Sequence, residues 1–197
     1  MATEVIAVFD IGKTNKKFFL FDLDFKEVHR DYTYLQPIKD EDGHPTENLP
    51  ALQKWIKAVF NRILKSEKYS IKRVNFSTYG ASLIYLDYNG NLLTPLYNYT
   101  KPIDDNIVSD FYKKYGPEDE FTKTTGSPNS GMLNSGMQLY WLKQAKPKVF
   151  NQVKYALHFP QYLSYIFTGI ALSEYTSIGC HTALWNYDKK DYHQWVY

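Results

Sequence analysis

A mixed α/β domain is the fold class that this sequence predicts, on three observations. Two short apolar runs, residues 4–9 (EVIAVF) and 17–22 (KFFLFD), flank a polar turn that contains Gly12, the pattern of a hairpin. Leu49, Leu52, Ile56, Val59 and Ile63 then recur at helical spacing between strand-like segments. From Pro102 onward the pattern is mostly helical. Strands first, a helix between strands, then helices is the order of a mixed sheet with helices packed around it.

Each element follows from local chemistry. Residues 27–36 read as a third strand, and residues 39–48, with Gly43 and Pro45, as a loop. Thr46 is the expected N-cap of the helix that follows. Residues 72–77 and 82–87 are strand candidates. The Asn89-Gly90 turn is followed by extended structure over 91–96. Residues 104–115, 137–144 and 161–167 read as helices, while 171–184 has no clear period.

Composition narrows the function classes. In 197 residues, 44% are hydrophobic and 22% charged, as in an ordinary folded protein. Lys plus Arg number 23 and Asp plus Glu 21, a formal net charge of +2. That balance gives no reason to expect nucleic acid or an anionic membrane as partner. No basic region leads into a long apolar stretch at the N-terminus, and Cys180 has no partner for an internal disulfide. A cytoplasmic location is expected. No HExxH or CxxC spacing occurs, so a zinc site is not expected. His158, His181, Trp141, Trp185 and Trp195, in apolar surroundings, read as packing residues, as do Tyr97 and Tyr99 ahead of any ligand contact.

Two segments carry candidate chemistry. In Asp10-Ile11-Gly12-Lys13-Thr14-Asn15-Lys16-Lys17, Gly12 lets backbone amides approach a phosphate. Thr14 and Asn15 offer hydrogen bonds to phosphate oxygens, and Lys13, Lys16 and Lys17 supply charge. Asp10, at a strand end, suits a hydrated Mg²⁺ bridging phosphates. The Walker GxxxxGK[ST] pattern is absent. In the second segment, STYGASLIYLD (77–87), Thr78, Tyr79 and Ser82 are placed to meet a polyhydroxylated ligand, since loops at strand ends are where α/β sheets bind. Taken singly, the first segment is equally well read as a plain polar turn, and the second is better read as a plain connection.

Together they resemble a known family. DIGKTNKKFFLFD is similar to the first phosphate segment of the FGGY carbohydrate kinases, D-[IL]-G-[TS]-[ST]-x-x-[KR], matched at Asp10, Gly12, Thr14 and Lys17, with Lys13 at the usual small hydroxyl position. STYGASLIYLD resembles the sugar-binding loop of the rhamnulokinase branch, D-T-W-G-V-D-F-V-L-L-D, at Thr78, Gly80, Leu86 and Asp87; Ser77 and Ser82 stand where that branch has Asp. TGSPNSGMLNSGMQLYWLK resembles the family's T-G-x-P segment, and the stretch from Leu157 to Trp195 its later block, with Thr168, Gly169, Glu174, Thr176, Asp188 and Trp195 in register.

The resemblance is collinear over the whole chain. It implies an actin-like (ribonuclease H-like) ATPase fold and the N-terminal half of a two-domain sugar kinase, residues 1–197 being that domain without its last part or its partner domain. ATP and Mg²⁺ are the implied cofactors, and a sugar the implied substrate: a ketose such as L-rhamnulose, L-fuculose or xylulose. Gly12, Lys13, Thr14, Asn15 and Lys17 would hold the phosphates, and Asp10 the Mg²⁺ through water. Thr78, Tyr79, Gly80 and Ser82 would hold the sugar. The catalytic Asp, in a G-x-x-D-like motif, is expected beyond Tyr197, so no catalytic residue is assigned within the chain. A homodimer of the intact enzyme stays open. So do two other readings, a different actin-like ATPase and a non-catalytic sugar- or partner-binding fragment.

Overall fold

The computed structural model of the chain describes residues 2–197. Strands β1 (Thr3–Ile11), β2 (Asn15–Asp22) and β3 (Glu27–Tyr34) form an antiparallel meander. A two-residue ribbon, β4 (Ile38–Lys39) with β5 (Pro45–Thr46), leads into helix α1 (Leu49–Leu64). Strand β6 (Tyr69–Thr78) then returns parallel to β1, giving the mixed order β3-β2-β1-β6.

Alternation along β1 builds the core. Val5, Ala7, Phe9 and Ile11 are fully buried, as are Phe18 and Leu20 beside them on β2. They face Leu52, Ile56, Val59 and Ile63 of α1, the residues whose spacing predicted that helix. Phe9 is the pivot, touching Phe18, Trp55, Phe76 and Phe167 with ring centroids 4.7–6.1 Å apart. Phe167 belongs to helix α6 described below, so α1 and α6 cover the same face of the sheet.

The second half surrounds a smaller ribbon. Strand β7 (Leu83–Leu86) pairs with β8 (Tyr155–His158) and not with the main sheet. Helices α2 (Asp105–Tyr115), α3 (Glu118–Thr125), α4 (Ser135–Ala145), α5 (Pro147–Phe150), α6 (Phe159–Thr168) and α7 (Tyr175–Ile178) pack beside it. A short ribbon of β9 (Trp185–Asn186) and β10 (Asp191–Tyr192) completes the fold.

The cap of α1 is corrected, and two further segments go beyond what the local pattern indicated. Asn48, not Thr46, caps α1, its side chain accepting from Ala51 N at 3.1 Å. Thr46 is buried and donates instead to the carbonyl of Leu96. Residues 91–96 do not form a strand; isolated bridges at Leu92 and Leu96 are all the pairing they make. Helix α3 had no apolar period to reveal it, because only Phe121 and Thr125 are buried. It is set by Pro117, three acidic residues in its first turn and Gly126 in the left-handed region at its end.

One glycine is placed by close approach. Gly136, in the first turn of α4, donates its N–H to Thr182 O at 2.7 Å. A Cβ there would lie 2.5 Å from that same oxygen and 2.9 Å from the Trp195 ring. Gly136→Ala is therefore expected to destabilise the fold by about 1–3 kcal/mol through overpacking. An unchanged urea midpoint would show that the 182–195 segment yields freely.

Candidate phosphate and sugar site at the edge of the sheet

Because β1 and β6 run parallel, their carboxyl ends meet at one edge, where open α/β sheets bind ligands. Asp10 and Ile11 lie beside Ser77 and Thr78, and the Thr78 hydroxyl donates to Ile11 O at 2.7 Å. The turn after β1 protrudes from this edge. It closes through Gly12 N to Asn15 O at 3.0 Å, and a Cβ on Gly12 would sit 3.1 Å from that oxygen. Lys13, Thr14 and Asn15 are exposed. The backbone N–H groups of Lys13 and Thr14 donate to no described residue.

The charges around the turn differ in kind. Lys17 Nζ donates to Asp10 Oδ2 at 3.2 Å, both side chains being about one third exposed. Lys13 Nζ lies 4.1 Å from the centroid of the Tyr99 ring and donates to Asn98 Oδ1 at 3.2 Å. Lys16, expected to add charge for a phosphate, is fully buried. Its Nζ donates to Gly12 O at 2.9 Å, Lys13 O at 3.0 Å and Glu47 Oε2 at 2.8 Å. Its partner on β1 is the buried Ile11, so the pleat turns Lys16 toward the core and Lys17 away from it.

The second predicted segment divides between two cavities. Thr78 and Gly80 line a groove of about 500 Å³ together with Gln161, Glu174, Cys180 and His181. Tyr79 instead lines a cavity of about 160 Å³ with Lys13, Glu47 and Asn98. Burial and the neighbouring Glu47 carboxylate push the Tyr79 phenol up, so it is a neutral donor, and its OH meets Glu47 Oε2 at 3.3 Å. Ser82 is a correction. It is fully buried and donates to Tyr97 O at 3.2 Å, so it faces neither cavity.

Glu174 caps the short helix α7. Burial raises its carboxyl, but hydrogen bonds from Ser177 and Thr176 outweigh that and hold it at about 2. His181, expected in packing, is exposed on the groove with a left-handed φ of 55°. His158 does pack: it is buried against Ser135 Oγ at 2.9 Å. Sequence reasoning missed Glu47, Asn98 and Gln161. Glu47 sits one residue before a helix cap, and nothing in a polar loop marks one carboxylate as buried.

Residues 5–197 match the FGGY family of carbohydrate kinases, N-terminal domain. The chain belongs to that family. Among curated relatives, rhamnulokinases from Mannheimia succiniciproducens and Halalkalibacterium halodurans are each 25% identical, over 87% and 90% of this chain. The chain spans 36% and 37% of their lengths. A solved carbohydrate kinase from Novosphingobium aromaticivorans superposes with a TM-score of 0.82 at 29% identity, over 98% of this chain and 40% of that one. The gluconate kinase of Lactobacillus acidophilus has the same fold, with a TM-score of 0.83 at 23% identity over 99% of this chain and 39% of its own. The mixed α/β architecture is thus that of the actin-like FGGY kinases. Among the described residues no helix is long and apolar enough to cross a membrane.

Proposed function

We propose that this chain supplies the N-terminal domain of an ATP-dependent kinase that phosphorylates a hydroxyl of a ketose, with L-rhamnulose, L-fuculose and xylulose as the candidates. The observation that carries this reading is the exposed turn beside Asp10. It combines two backbone N–H groups that donate to no described residue, the Thr14 and Asn15 side chains and the Lys13 and Lys17 ammonium groups at one sheet edge. Backbone donors with no described acceptor, beside two surface ammonium groups, fit a polyphosphate, and a partly exposed carboxylate beside them fits the water shell of Mg²⁺. Bound Mg²⁺ would neutralise phosphate charge.

The residues of the chain then position and do not react. Gly12, Lys13, Thr14, Asn15 and Lys17 hold the phosphates, and Asp10 holds the hydrated metal. Thr78 and Gly80 form the floor against which the sugar lies, and Tyr79 lines the neighbouring cavity beside Lys13 and Glu47. The rhamnulokinase relatives and the polar lining of the groove, with Gln161, Glu174 and His181, support a sugar there.

The base that takes the sugar's proton comes from outside these residues. Three carboxylates near the cavities are already engaged: Asp10 with Lys17, Glu47 with Lys16, and Glu174 with the α7 amides. A base must be free to accept a proton.

Calorimetry with MgATP and each ketose, beside a coupled ADP-release assay, tests the reading. Binding without turnover is expected of residues 1–197. Robust sugar-dependent turnover would overturn the placement of the base, and absence of nucleotide binding would overturn the site. Asp10→Ala is expected to weaken ATP binding about tenfold, roughly 1.4 kcal/mol, when Mg²⁺ is present. Without Mg²⁺ it should change little, which isothermal titration in EDTA would check.

A further inference from the structure

We propose that Glu47 is a positioning residue that holds the phosphate turn and the sugar loop in one arrangement, acting through Lys16 and Tyr79. This rests on the kinase reading above.

Three observations converge on it. Glu47 Oε2 accepts from Lys16 Nζ at 2.8 Å and from Tyr79 OH at 3.3 Å, so one oxygen joins the two predicted segments. The Lys16 and Glu47 side chains are 1% and 5% exposed, so the pair is shielded from solvent. Glu47 is itself mounted rigidly: it precedes the α1 cap, its carbonyl accepts from Leu49 N at 3.0 Å, and its backbone bridges Leu96.

The geometry of the peptide unit explains what this does. In a trans peptide the C=O and the following N–H point in opposite directions. Lys16 draws the carbonyls of Gly12 and Lys13 inward. The N–H groups of Lys13 and Thr14, which belong to those same two peptides, are thereby turned outward. These are the two that donate to no described residue. The buried ammonium thus presents two adjacent backbone donors to an anion, although it never meets the anion itself. Glu47 holds the Lys16 ammonium in place through the 2.8 Å contact. A buried ion pair seldom adds net stability over apolar residues of like volume, so its presence here is better explained by what it orients.

The double variant Lys16→Met/Glu47→Gln removes both charges and leaves a side-chain amide oxygen to accept from Tyr79. MgATP is the probe, titrated into ¹⁵N-labelled chain. In the wild type the Lys13 and Thr14 amides should shift most. In the double variant, with a urea midpoint near that of wild type, MgATP affinity should fall about tenfold and those two amides should lose their preferential shift. Equal affinity and equal shifts would overturn the role of Glu47 while leaving the phosphate site standing. Failure of the wild type itself to bind would instead overturn the kinase reading. Should the double variant not fold, Glu47→Gln alone serves: a threefold or greater loss of MgATP affinity supports the role, and none refutes it.

Discussion

Lys16→Met alone is expected to cost about 3–5 kcal/mol of stability, most of what a domain of this size holds in reserve. The reason is the partner left behind. Glu47 lies in the interior with a side chain 5% exposed, and its charge would lose the ammonium 2.8 Å away. Removing one member of a buried pair strands the other, whereas removing both does not. Adding Glu47→Gln to Lys16→Met should therefore restore most of the loss. Urea unfolding of wild type, single and double variants measures it. Two single-variant losses that simply sum in the double would show that the pair is not coupled.

Acid should destabilise the fold through His158, by roughly 3 kcal/mol across the window from pH 6.5 to 4. Burial pushes this imidazole down to about 4 from its ordinary 6.5, although the Glu174 carboxylate acts in the opposite sense. The unfolded chain takes up the proton near pH 6.5 and the folded chain only near pH 4. Between these values the unfolded state holds more protons, so stability is full above pH 6.5 and falls as pH drops toward 4. His158→Gln keeps a neutral partner for Ser135 and should flatten that part of the profile. Glu174, held at about 2, titrates mostly below it. Urea midpoints at half-unit pH steps for both chains provide the comparison; parallel profiles would remove His158 from the account.

What could be read in advance depended on how local the cause was. The α1 spacing of Leu49, Leu52, Ile56, Val59 and Ile63 was legible because one helix face meets one core. The β1–β2 hairpin was legible from two apolar runs around Gly12. The run KFFLFD hid its parity, however. With Phe18, Phe19, Leu20 and Phe21 all apolar, nothing showed which neighbour of Lys17 points inward. Lys16 therefore read as one more surface charge. Ser82 read as a loop hydroxyl, because the carbonyl it donates to belongs to Tyr97, fifteen residues away.

Residue types in contiguous order were enough for the family, the mixed α/β class and the cluster of polar and charged groups at Asp10–Lys17. Tertiary packing settled which of those groups reach the surface. It turned Lys16 and Ser82 into the interior, separated Tyr79 from Thr78 and Gly80, and brought Glu47 from 31 residues away to Lys16. Pleat parity and long-range burial set those outcomes, and both depend on what packs opposite.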